Sequence, residues 1–383
     1  MIKKILFFMF ILILIFSKCY SKSNNENFLN EILEEEAEKH ILILDAGLDS
    51  IEKIDFGGFY PNFSVRDLIK KITFGKFEVN FPFVIKTITE MIFGEILNSF
   101  RSIGFVVLIS VFCFILCDLF PNFSRKGAAN VTFFVCFMYI AGILSKNFYN
   151  SIECARTSID NLEMFMNTLI FSVSSLSVLN GSVSVYSILI VIVKVIIYVI
   201  KRLFLPLIVL SGGTVMVSSL TERTYAKNLS SFLKKMVKWI FMSMITVFAC
   251  VISMHGICVK NAECLMIKFM KLGMTNLVPV VGRILSESAE IFVSCGTILK
   301  NSAGVIGCVI IILISLTSIL KIFAYLVSFH LMSIIVEPIA DKKISICILE
   351  LTELISTILS MVVSVCVMFV IITALTFKIT SIY

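Results

Sequence analysis

Residues 355–377 read ISTILSMVVSVCVMFVIITALTF, uncharged throughout. A helix that crosses a bilayer needs about 20 mainly apolar residues, with roughly 17–25 acceptable. This stretch is long enough, and no soluble strand or amphipathic helix carries such a run. Towards the N-terminus the pattern recurs in Ile103–Phe120, Ala128–Leu144, Leu162–Asn180, Ser182–Ile200, Leu203–Leu220, Trp239–Cys258, Ala303–Leu320 and Ile322–Val336. The last of these is short on its own; it continues its predecessor by tilting around Lys321, or it is part of a broken helix.

Composition agrees with a lipid-embedded chain. Of 383 residues, 58% are hydrophobic and 15% charged. Soluble domains average about 45–50% apolar and about 25% charged. Lipid can absorb that excess, because only helices with internally satisfied backbones are stable in it. The expected fold is all-α: a polytopic helical membrane protein with a cleaved signal peptide (residues 1–21), a small exported helical segment (22–100) and a membrane domain (101–383) of seven to nine spans.

The N-terminus reads as an export signal. Lys3 and Lys4 precede the apolar run Ile5–Phe16, and Ser17, Cys19 and Ser21 follow. Cleavage after Cys19 or Ser21 fits that layout. A lipidated Cys19 and a retained anchor are the two other readings. Beyond the signal, Phe28, Leu29, Ile32, Leu33, Ala37 and Ile41 form a helical stripe opposite a group of glutamates. Ser64 is placed to cap a second helix. Pro82–Phe100 mixes apolar and charged positions, as an interfacial helix leading into the first span does; a small soluble helical domain is the alternative.

The net charge is +7, from 33 basic and 26 acidic residues. In membrane proteins such a surplus gathers in cytoplasmic loops. Starting outside, the chain brings Arg125 and Lys126, then Arg223, Lys227, Lys234, Lys235 and Lys238, then Lys378 to the inner side. Lys201 and Arg202 fall outside against the rule. A re-entrant hairpin around Pro206 and Gly212–Gly213 would remove that conflict. No basic run is interleaved with stacking aromatics, so nucleic acid is not an expected partner.

No catalytic or metal-binding pattern is visible. Phosphate-loop, dinucleotide, zinc-protease and nucleophile-elbow motifs are absent from the sequence. The 12 cysteines include no C-x-x-C, and His40, His255 and His330 are far apart. No cofactor and no enzymatic activity are expected. Ionisable residues at membrane depth are the remaining functional candidates. Lys194 lies midway in its block with Tyr198 one turn on, and His330 lies in the short eighth block. Arg283, Glu287 and Glu290 share one helix face by their spacing. These five are the candidate polar lining. Snorkelling, and for 283–290 a plain interfacial helix, are the alternatives. Asp118 and Lys321 read as interfacial.

Several stretches are specific enough to suggest a family: LVPVVGRILSES at 277–288, Cys295-Gly296, LKNSAG at 299–304, FSVRDLI at 63–69, Leu205-Pro206, SSLTER at 218–223 and EPI at 337–339. With the order of signal, exported segment and membrane region, they make the chain resemble the stage III sporulation protein AE family of endospore-forming bacteria. The resemblance implies a multi-pass component of the channel complex joining mother cell and forespore, sited in the mother-cell membrane. It implies sister proteins of the same operon as partners, among them ring-forming proteins and a cytoplasmic ATPase. Homo-oligomerisation is compatible with it. The motifs carry no assigned chemistry, so they nominate no catalytic residue. A scaffold that anchors the rings without conducting, and a small-molecule permease, are the competing roles.

Overall fold

The computed structural model describes residues 81–119, 126–178, 191, 193–220, 228–251 and 281–378. The chain divides into two compact units, Met1–Asp49 and Ser50–Tyr383, and every described residue belongs to the second. The signal, the expected helices at 27–44 and from Ser64, and residues 259–280 lie outside the described residues.

All described elements are helical. In chain order they are α1 (Phe81–Leu119), α2 (Lys126–Val178), α3 (193–220), α4 (228–251), α5 (Val281–Val336) and α6 (Lys342–Lys378). Among the described residues three helices are long and apolar enough to cross a membrane: Val131–Asn167, Gly307–Val336 and Lys342–Ala374. Arg101–Leu116 is a shorter apolar stretch within α1.

Among the described residues neighbouring apolar blocks join into continuous helices, because several expected breaks do not occur. The polar stretch 145–161 joins two blocks inside the 53-residue α2 rather than forming a loop. It contains no Gly or Pro to stop a helix. Its inner face stays buried without a gap: Leu144, Phe148, Ile152, Ala155, Ile159 and Leu162 are all enclosed, with Ser151 and Ser158 between them. Lys321 likewise sits inside an unbroken α5 of 56 residues, which runs about 84 Å at the helical rise.

The re-entrant hairpin expected around Pro206 is also absent. The chain passes through Pro206, Gly212 and Gly213 as continuous helix. Pro206 lacks an N–H and crowds the carbonyl one turn back. The helix widens into a π-turn at Ile200–Phe204 just before it, with the Leu205 N–H donating to the Ile200 carbonyl. Such insertions absorb a proline without ending a helix.

Gly212 has a different use. A Cβ there would overlap the ring of buried Phe148 on α2, so glycine lets the two helices approach. Overpacking a filled site costs about 1–3 kcal/mol. Gly212→Leu should therefore lower thermal stability in detergent, whereas the same change at Gly213, where nothing lies within 4 Å, should not.

The last two helices form an antiparallel hairpin. α5 ends where Glu337 N–H donates to Ser333 O (3.0 Å) and Ala340 N–H to Val336 O (2.8 Å); Pro338 follows, where the helix cannot continue. Asp341 caps α6 by accepting the Lys343 N–H at 2.9 Å. At the far end Cys308 Sγ lies 3.9 Å from Val370 O, so the two arms stay in register. Buried hydroxyls need no water here. Ser315, Ser328, Thr352 and Thr373 each donate to the carbonyl four residues back.

Side-chain contacts fix the relative directions. Lys343 Nζ sits 5.6 Å from the Phe133 ring centroid, and Thr373 Oγ1 3.9 Å from Met166 Sδ, so α2 runs parallel to α6. Ser145 donates to Met216 Sδ at 3.0 Å and Phe148 meets Gly212, so α3 runs antiparallel to α2. Lys234 and Lys238 pair with Glu350 and Glu353, so α4 runs parallel to α6. α1 packs on α2 and α5.

Candidate functional site: two ion clusters in the bundle

The first cluster joins α4 to α6. Lys234 Nζ lies 3.1 Å from Glu350 Oε1, and Lys238 lies 2.5 Å from Glu353 Oε1. The sequence sets this up: lysines four apart on one helix face carboxylates three apart on a parallel one. The inner pair is the more enclosed, with side-chain exposures of 17% and 29%. Buried Ser230 lies one turn before Lys234, and its Oγ has no hydrogen-bond partner; the second oxygen of Glu350 has none either. The outer pair is about half exposed, and pairs of that kind contribute about 0–1 kcal/mol. Lys238→Ala is accordingly expected to leave the melting temperature within about 2 °C of the native chain.

The second cluster joins α2 to α3. Lys201 donates to Glu163 and also pairs with Asp160, so one ammonium serves two carboxylates. Asp160 and Glu163 are three apart and share the face turned to α3. The charge of Lys201 is thus locally neutralised, while Arg202 beside it is exposed.

The clusters stand apart along the bundle. Aligning α2 and α6 through the Phe133–Lys343 and Met166–Thr373 contacts gives a separation of about 30 Å at the helical rise. No His, Cys, Asp or Glu group among the described residues is arranged to hold a metal.

The residues singled out from sequence fall elsewhere. Lys194 is exposed on α3, beside exposed Val191, Val195 and Tyr198. His330 is exposed on α5 near its C-terminal turn. The two are on the order of 40 Å apart along the axis and form no common lining. Arg283, Glu287 and Glu290 lie in the first turns of α5, and their side chains are outside the described residues, as is that of Asp118. Sequence reading missed Asp160, Glu163, Glu350 and Glu353. The signal was available: each acidic pair has a basic counterpart on an element that packs against it. Only the pairing of elements was unknown.

Exposed apolar side chains span an unusual height, with Lys146, Glu153, Arg156, Lys194 and Arg202 exposed among them. Val131, Val135 and Tyr139 are exposed on α2, Val191 to Val217 on α3, and Trp239, Met242 and Val247 on α4. From the level of Val131 to that of Val191 is roughly 60 Å at the helical rise.

An all-helical bundle with three membrane-length apolar helices and no assembled catalytic group among its described residues defines a helical membrane protein. The particular family follows from comparison: residues 63–380 match the model of stage III sporulation protein AE, and the chain belongs to that family. Stage III sporulation protein AE of Bacillus subtilis (strain 168) is 24% identical over 268 residues, covering 69% of this chain and 67% of that protein. No solved structure matches. The family name describes a sporulation protein and no reaction.

Proposed function

We propose that the chain is a multi-pass component of the channel complex linking mother cell and forespore, required for late forespore development. Its place would be the mother-cell membrane. Residues 1–21 would be removed as a signal, 22–100 would lie in the intermembrane space, and 101–383 would be embedded. Ring-forming proteins of the same operon, a cytoplasmic ATPase and the lipid bilayer would surround it.

The observation that carries this reading is the height of the apolar surface. A hydrocarbon core is about 30 Å thick. Exposed apolar side chains spread over roughly twice that height, with the charges of Lys146, Glu153, Arg156, Lys194 and Arg202 exposed among them, so lipid alone does not cover this surface. A family assigned to sporulation supplies the setting. The test is recovery of the ring proteins with tagged chain from sporulating cells, with and without residues 22–75. Loss of the rings on deletion, with the rest still inserted, supports docking through the exported segment. Normal sporulation without the chain would sink the proposal.

A scaffold role has its own support. Lys194 is flanked on its exposed face by Val191, Val195 and Tyr198, which suits snorkelling beside lipid better than a water-filled path. Single cysteines at 191, 194, 195 and 198, in a background lacking native cysteines, separate conduit from scaffold. Periodic labelling by a membrane-impermeant thiol reagent favours a conduit, and uniform protection favours a scaffold.

A further inference from the structure

We infer that the outward polar face of α2, from Lys146 to Thr157, is the contact surface for a second copy of this chain. α2 and α3 lie side by side between the Phe148–Gly212 contact and the Lys201–Asp160 pair. Within that interval α3 turns Leu203 and Leu210 outward, each 56% exposed, with Val209 between them, and exposes one charge, Arg202, only at the Lys201 end. At the same height α2 turns outward Lys146, Tyr149, Glu153, Arg156 and Thr157. One surrounding medium cannot suit both helices. Lipid covers Leu203 and Leu210 at no cost but penalises the charges of α2; water does the reverse.

Charge complementarity points to a second copy. Glu153 and Arg156 are three apart on one face and make no ion pair with each other or with another described residue. Two chains in one membrane share orientation, so their two-fold axis runs along the bundle and equal heights face each other. Glu153 of each chain then meets Arg156 of the other, less than one turn away, in two reciprocal pairs. A single-sign face could not associate with itself in this way. Gly142 lies on the same outward face one turn before Lys146, exposed and with open space where a Cβ would stand. A glycine there permits close approach of a second helix.

The test is co-purification of two differently tagged full-length copies from membranes in mild detergent. Glu153→Arg and Arg156→Glu should each reduce recovery of the second copy about tenfold, as loss of a close interfacial charge pair does. The charge-swapped double variant should return recovery to near the native level. Gly142→Leu, which touches nothing inside the chain, should also reduce it. Alkaline carbonate extraction checks that each variant remains inserted. Unchanged recovery in both single reversals overturns the inference, and so does a swap that stays inserted without restoring association. If the swap fails to insert, Gly142→Leu decides: unchanged recovery there overturns it.

Discussion

Lys234→Met is expected to destabilise the bundle by about 2–4 kcal/mol, and Lys234→Met combined with Glu350→Met to recover most of that loss. The reasoning starts from desolvation. Glu350 is mostly enclosed, one of its oxygens has no partner, and the other depends on Lys234 at 3.1 Å. Removing the lysine leaves a largely enclosed carboxylate without its cation. Removing both groups leaves an apolar contact of similar volume, which enclosed ion pairs often tolerate or improve upon. Thermal unfolding of the two single variants and the double in detergent gives the coupling directly. If the double variant were as unstable as the sum of the singles, the pair would not be interacting. The contrast with Lys238, whose removal should be nearly silent, comes from exposure alone, since both lysines sit on the same helix and meet the same partner helix.

Phe204→Ala should cost about 3 kcal/mol, within the range of large-to-small changes in filled cores. Phe204 is fully buried at the end of the π-turn, with its ring centroid 6.1 Å from that of Phe241 on α4. The origin of the loss differs from that in a soluble core. An unpacked helix here stays in lipid, so little transfer energy is at stake. The cost is the cavity and the dispersion contacts it removes. Phe204→Leu, which fills much of the space, should cost under about 1.5 kcal/mol. Unfolding of both variants in mixed detergent checks the ratio. Equal losses would show that the ring fills no space between α3 and α4.

Legibility from sequence divided along a clear line. The apolar blocks identified helices and membrane class, and the extended helix over 82–100 emerged as part of α1. Breaks were misplaced because charge was read as a loop signal. At 145–161 Lys146, Glu153 and Arg156 face outward, Asp160 turns to Lys201 on α3, and the buried side carries the helix onward. At Lys201 a pair of carboxylates from another helix removes the reason for a turn. At Gly212 the glycine serves contact with Phe148 rather than chain reversal.

Local composition by itself determined that this chain is helical, lipid-embedded and without a visible catalytic motif, since backbone satisfaction in lipid depends only on runs of neighbouring residues. The match of residues such as 277–288 to a family was equally a property of the string. Tertiary structure decided which charges neutralise each other, which helices run as one piece, and which face of α2 is left outward. Those outcomes depend on contacts between residues 38 to 116 positions apart, as in Lys201 with Glu163 and Lys234 with Glu350, and helical spacing carries no record of which helix lies alongside.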